Sequence, residues 1–218
     1  MSSKHHLNVE AFAEPLSPEA RYWVGFLLAD GCISSNKGYP QISLGLKFSD
    51  AEHVRKFARF VGVLEESVIE FDTMNNFGRN HGVRLSFTGK ELIPQLAKYG
   101  IVPRKTKIAS VPLSLAHDPD FWRGLVDGDG SLRCTPTAYL QLDGARNIVD
   151  SFSSYLGFIT GLIPAIIPHS SIFRAGLNGK RAKVALQTIY YSGCSPSLDR
   201  KTAIAEQAKL WRDKRSRR

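Results

Sequence analysis

The sequence is poor in the features that mark several large protein classes. None of its 218 residues falls in an apolar run approaching the ~20 needed to cross a bilayer as a helix. The opening MSSKHHLNVE lacks the apolar segment of a secretory signal. Three cysteines (Cys32, Cys134 and Cys194) stand singly, without the paired spacing of a zinc site, and an odd number cannot all form disulfides. The six histidines show no ligand spacing, so a histidine–metal centre finds no support. These absences point to an intracellular, reduced chain with no membrane partner. Apolar residues make up 43% and charged residues 22%, the balance of a soluble globular protein with a real core in one or two domains.

Acidic residues are also scarce relative to basic ones: the net charge is +9, which suits a polyanionic partner. Much of the excess sits at the end. Residues 200–218 carry eight Lys and Arg against Glu206 and Asp213. Such a stretch is either a solvated tail or a contact for polyanions.

What the sequence does contain is a repeat. WVGFLLADG at 23–31 returns as WRGLVDGDG at 122–130, and both Gly25/Gly124 and Asp30/Asp129 are 99 positions apart. The flanks repeat too. After the first motif, YPQISLGLKF alternates Ile42, Leu44, Leu46 and Phe48 with polar or small residues, as a half-buried strand does. SDAEHVRKFARFVG follows with Val54, Phe57, Ala58 and Val61 at helical spacing, and Ser49 or Asp50 as a cap. SVIEF and GVRLSFTG read as strands, and KELIPQLAKYG as a helix closed by Gly100. In the second half SLRCTPTAYLQL reads as one strand, ARNIVDSFSSYLG as a helix, LIPAII and IFRAGLNG as strands, and KRAKVALQTIYYSG as a helix. PRKTKIA and DRKTAIA match as well, placing Arg104, Lys105 and Thr106 against Arg200, Lys201 and Thr202.

The expected architecture is α+β: two pseudo-symmetric αββαββα repeats, each an antiparallel sheet with helices on one face. The divisions are a leader at 1–17, a first repeat at 18–110, a linker at 111–120, a second repeat at 121–204 and a basic tail at 205–218. The uncovered face of each sheet is polar and basic, so it is either plain solvent surface or the seat of a long polar ligand.

Glycine inside a helix costs about 1 kcal/mol relative to alanine. Gly25 and Ala29 are four apart, as are Gly124 and Gly128, so each motif helix presents a smooth stripe. Two such stripes in register predict helices packed on each other across a pseudo-twofold axis, closer than the usual 8–10 Å. Asp30 and Asp129 then end both helices at the negative pole of the dipole and crowd each other. Together with the carbonyls of Ala29 and Gly128 they form an oxygen-only donor set of the kind that holds Mg²⁺, which takes its remaining ligands from water and phosphate. For one copy alone, Asp-Gly would read simply as a turn. DGDG also hints at a calcium loop, but Leu132 and Ala138 occupy the sixth and twelfth positions, which excludes an EF-hand.

The two motifs and their matching flanks resemble the LAGLIDADG homing endonucleases of the single-chain, two-repeat type, over roughly 18–205. The resemblance implies motif helices at a central interface and a divalent metal, Mg²⁺ or another such as Mn²⁺, at Asp30 and Asp129. It also implies a monomeric enzyme that cuts both strands of double-stranded DNA at a long recognition site. The first copy departs at Leu28, where the family often has Asp and where Asp127 keeps it; that position is structural in the family. The family also places a lysine near each active site, which maps to Lys105 and Lys201, as catalytic groups or as phosphate contacts. Asp50 matches a variable polar position of the active site, or caps its helix. The sheet faces expected on DNA carry Gln41, Ser43, Lys47, Arg84, Ser86 and Thr88 in the first repeat. In the second they carry Arg133, Thr135, Thr137, Tyr139, Gln141, Arg174 and Asn178. Alternative readings on the same fold are a maturase that binds intron RNA and a DNA-binding regulator without catalysis. The termini lack the nucleophile and asparagine of protein splicing, so the expectation is a freestanding or intron-encoded protein rather than an intein.

Overall fold

Helices and hairpins alternate in the same order in both halves. The structure is a computed structural model describing residues 6–36, 39–75, 78–105 and 108–212. The first half comprises α1 (Pro18–Asp30), β1 (Gly31–Asn36), β2 (Tyr39–Lys47), α2 (Ala51–Val61), β3 (Ile69–Asn75), β4 (Gly78–Thr88) and a short α3 (Ile93–Ala97). The second comprises α4 (Pro119–Asp129), β5 (Gly130–Arg133), β6 (Tyr139–Gly144), α5 (Arg146–Thr160), β7 (Ile167–His169), β8 (Ile172–Asn178), α6 (Gly179–Ile189) and α7 (Asp199–Leu210). Each half forms a four-stranded antiparallel sheet, ordered β1-β2-β4-β3 and β5-β6-β8-β7. The architecture is α+β in two pseudo-symmetric repeats, as expected. Among the described residues no helix is long and apolar enough to cross a membrane.

Both motif helices start alike. Ser17 and Asp118 accept hydrogen bonds from the N–H of Ala20 and Phe121, with Pro18 and Pro119 at the first helical position. Every residue from Tyr22 to Leu28 in α1 and from Asp120 to Asp127 in α4 is buried, because each helix has a sheet on one side and the other helix on the other. Their mutual contact is the most extensive helix packing in the molecule. A Cβ on Gly25 would lie 2.0 Å from the Phe121 carbonyl oxygen, and one on Gly124 would lie 2.0 Å from that of Tyr22. The reciprocity shows the pseudo-twofold directly, and the apolar core runs unbroken through both halves. Arg21 and Asp120, at equivalent motif positions, pair across it at 3.4 Å, with Asp118 2.7 Å from Arg21. A pair of opposite charges at equivalent positions requires two repeats that have diverged.

Several sequence readings need correction. The expected strand 131–142 is a hairpin: Pro136 cannot donate to a ladder, and the turn around it leaves β5 and β6 paired as Ser131↔Gln141 and Arg133↔Tyr139. Thr135 and Thr137 therefore lie in the connecting loop. LIPAII is mostly irregular, with Ile167 alone entering β7. GCISSN after the first motif forms β1, a short polar strand without an apolar period to reveal it. The boundary at 205 falls inside α7, whose Ala205 and Ala208 are buried. The leader packs on the first repeat: Ala11 and Phe12 are buried, and the Phe12 N–H donates to Gln95. Gly31 and Gly130, which follow the two motif helices, have extended backbone. They are needed for space, since a Cβ would meet the carbonyls of Leu27 and Val126 at 2.6 and 2.5 Å.

Gly25→Ala and Gly124→Ala are expected to destabilise by about 3 kcal/mol or more, since the added methyl meets backbone that cannot rotate away. For a chain of this size that corresponds to roughly 6–12 °C in Tm. An unchanged Tm in both variants would contradict the close helix contact.

Candidate active site and nucleic-acid interface

The contact that buries α1 and α4 brings their C-terminal ends together. Asp30 Oδ2 lies 3.3 Å from where a Cβ on Gly128 would stand, so the carboxylate of one helix rests against the backbone of the other. Both aspartates reach solvent, yet protein crowds around their carboxyl groups. Desolvation is therefore the main cause that raises the Asp30 carboxyl above its ordinary range. Asp129 is pushed up to about 6, by desolvation and then by the charge of Asp30, while Lys105 and Lys201 pull it down. The charge of Asp30 thus hinders the ionisation of Asp129, which leaves a place favourable to a cation.

The two lysines finish the helices. Lys201, 3% exposed, donates to the carbonyls of Val126, Asp127 and Gly130, each at 2.7 Å. Lys105 donates to Gly31 O at 2.6 Å and to Ala29 O at 3.4 Å. Each ammonium thus satisfies orphan carbonyls and offsets the negative end of its own repeat's motif helix. Burial lowers the Lys201 pKa to about 8 and also lowers that of Lys105. Of the two aspartates, Lys105 feels Asp129 more strongly and Lys201 feels Asp30. The stronger charge coupling is thus crossed, each lysine acting more on the other repeat's aspartate. Neither lysine is freely solvated.

Asp127 accounts for the difference between the motifs. It is 1% exposed and accepts hydrogen bonds from Tyr22 Oη (2.8 Å), Tyr190 Oη (2.6 Å) and the Leu198 N–H (2.7 Å). The carboxylate ties α4 to α1 and to the segment before α7. Behind it, His53 Nε2 is 2.8 Å from Tyr22 Oη. Burial lowers the His53 pKa to about 3, so the ring is neutral, and Tyr22 Oη donates to Asp127. At the equivalent position Leu28 is simply buried. A cavity of about 310 Å³ opens there instead, bordered by Leu28, Leu125, Ile148, Lys105, Asp129 and Asp143. Asp50 does not cap α2; it is 7% exposed and faces Arg200 Nε at 3.1 and 3.2 Å, a bridge between repeats beside Asp30.

The sheet faces divide as follows. Gln41, Ser43 and Lys47 on β2 share an open face with Arg84, Ser86 and Thr88 on β4, with Ser43 Oγ 2.9 Å from Ser86 Oγ. In the second sheet Arg133, Tyr139, Gln141, Arg174 and Asn178 share the corresponding face. Thr135 and Thr137 border a cleft at its outer end, together with Arg133, Tyr139, Asn178 and Trp211. Gln141 is less available than its phase suggested, being 7% exposed and bonded to Tyr139 Oη and to Asp143 Oδ1. Arg174 is held by Asp143. Asp143 and Arg200 escaped the sequence reading, although Asp143 continues the polar phase of Tyr139 and Gln141 along β6. The terminal arginines Arg215, Arg217 and Arg218 lie outside the described residues.

Compared by sequence, the chain matches no family model and no curated protein. Compared by structure, it is similar to the homing endonuclease I-WcaI bound to its DNA recognition sequence, with a TM-score of 0.61 at 12% identity over 93% of this chain and 95% of that one. It is also similar to the I-LtrWI LAGLIDADG homing endonuclease bound to target DNA (TM-score 0.57, 10% identity, 93% and 90% covered). The I-SmaMI LAGLIDADG homing endonuclease bound to cleaved DNA gives a TM-score of 0.54 at 14% identity, covering 89% and 88%. The chain therefore has the fold of the single-chain LAGLIDADG homing endonucleases over nearly its whole length.

Lys201→Met is expected to cost roughly 3 kcal/mol or more, because three buried carbonyls lose a charged donor. Lys105→Met, at a half-exposed position with one short bond, is expected to cost less. Equal unfolding free energies for the two variants and the parent would show that the lysines do not hold the helix ends.

Proposed function

We propose that the protein is a site-specific DNA endonuclease that hydrolyses one phosphodiester in each strand of a long double-stranded target, acting as a monomer. The observation that carries this reading is the pair of carboxylates at the apposed ends of two touching helices, flanked by two polar, basic sheet faces. Cutting both strands needs two sites a short distance apart, and the two scissile phosphates approach each other across a minor groove. A β-sheet face fits a major groove, where alternate side chains reach base edges. A protein that only binds DNA or intron RNA would use the sheets but leave the carboxylate pair without a role.

The donor set suits a hard divalent cation. Asp30 and Asp129 offer carboxylate oxygens, and Ala29 and Gly128 offer carbonyls. Lys201 takes its acceptors from Val126, Asp127 and Gly130 and bypasses Gly128, whereas Lys105 reaches the Ala29 carbonyl at 3.4 Å. No cluster of three or more His, Cys, Asp or Glu occurs among the described residues, so water and phosphate would complete the shell, as Mg²⁺ or Mn²⁺ tolerates. When bound, such an ion supplies water activation and neutralises the leaving oxygen. The chain's own residues do the rest. The carboxylates fix where the scissile phosphates dock, and Lys105 and Lys201 hold the helix ends that carry them. The same ammonium groups add positive charge where the phosphorane becomes more negative. The sheets set the register of the duplex.

Asp30→Asn and Asp129→Asn should each abolish double-strand cleavage with Mg²⁺ while leaving DNA affinity within a few-fold of the parent. Residual nicking of one strand in either variant agrees with two sites facing different strands. Full double-strand cutting by either variant would refute the carboxylate assignment.

A further inference from the structure

The register of the two sheets places an arginine at the same point in each: Arg84 opposite Gly45 in the first, Arg174 opposite Asp143 in the second. The surroundings of these arginines differ. Arg84 has no ion pair among the described residues, and its guanidinium lies 4.5 Å over the Phe71 ring. Arg174 is clamped side-on, Nε to Asp143 Oδ1 at 2.9 Å and Nη2 to Oδ2 at 2.7 Å. Asp143 is in turn fixed by Gln141 Nε2 at 2.8 Å, and Gln141 accepts from Tyr139 Oη, whose ring lies 4.3 Å beneath the Arg133 guanidinium. A Cβ on Gly176, opposite Gln141, would come within 2.9 Å of Gln141 Cα, so the glutamine is packed in place. The second face is a connected network that holds its arginine in an ion pair; on the first, Ser43 and Ser86 pair with each other and Arg84 rests on the Phe71 ring.

An acidic residue on a surface meant for a polyanion is costly unless it does something geometric. An Asp–Arg pair carries no net charge, so it gains little from a phosphate. A guanidinium that spends Nε–H and one Nη2–H on a carboxylate still has three N–H groups in a fixed plane, two of them, on Nη1 and Nη2, side by side on its outer edge. That edge matches the O6 and N7 of guanine. We propose that Asp143 is a specificity-determining positioning residue, which aligns and neutralises Arg174 so that the second sheet reads a guanine where the first sheet, through Arg84, grips phosphate. The inference rests on the DNA-binding reading above and deepens it.

Binding in EDTA, so that no cleavage intervenes, to a randomised DNA library at several salt concentrations tests it. Arg174→Ala and Arg174→Lys should both lose the preference at one base pair, in the half-site covered by the second repeat on the side nearer the centre. Discrimination there should fall from between about 5-fold and 150-fold to near parity, because lysine restores charge but not the fork. Asp143→Asn should lose the same preference while binding unrelated DNA more tightly, with a salt slope steeper by about 1, since a freed arginine becomes a phosphate contact. Arg84→Ala should weaken all sequences alike and make the slope shallower by about 1. A wild-type protein with no sequence preference would overturn the endonuclease reading and this inference with it. A preference present in the wild type and unchanged in Asp143→Asn, or retained in Arg174→Lys, would overturn this inference alone.

Discussion

The rest of the structure depends on the close approach of two helix backbones at Gly25 and Gly124. With a Cβ 2.0 Å from the opposing carbonyl on either side, no other residue fits. That contact fixes the pseudo-twofold and makes one core of two small ones. It also sets where α1 and α4 end relative to each other, and thereby where Asp30 and Asp129 stand. The sheets hang from the same helices, so their open faces are oriented by the same constraint.

Bringing two helix C-termini and two carboxylates together concentrates negative potential in one place. The molecule offsets it with the ammonium groups of Lys105 and Lys201, inserted among the terminal carbonyls. Burial still raises the carboxyl pKa of both aspartates, and the Asp30 charge raises that of Asp129 further. The two sides are also unequal. Asp127, Tyr22, Tyr190 and His53 fill one flank with a hydrogen-bonded network, and Arg200–Asp50 bridges the repeats there. The other flank has Leu28, Ile148 and a cavity. Once the repeats sit in one chain, each flank can diverge without its twin, and the Arg21–Asp120 pair records that divergence.

Much of this was legible in the residues alone. A doubled motif at constant spacing revealed the repeat, the small-residue stripes revealed the interface, and an aspartate at the wrong end of a helix, twice, revealed the candidate site. What escaped has physical reasons. β1 is short and polar, so no apolar period marks it. The Pro136 turn kept the alternation of its flanks, because residues paired across a hairpin share a face, and so two strands read as one. The crossed relation of the lysines to the aspartates is a matter of three-dimensional packing that spacing along a chain does not encode. Asp143 looked like one more polar residue until the register set it against Arg174. The basic tail placed at 205–218 takes in the second half of α7, because the charges there outweigh the small buried face of Ala205 and Ala208.

The most direct measurement of the central claim is to incubate the purified protein with Mg²⁺ and a randomised double-stranded DNA library and to sequence both ends of whatever is cut. Two carboxylates at one helix junction predict a single long enriched sequence, cut once on each strand with a fixed offset across one minor groove. Cuts confined to one strand, or scattered without a fixed offset, would contradict a composite site built at the junction of α1 and α4.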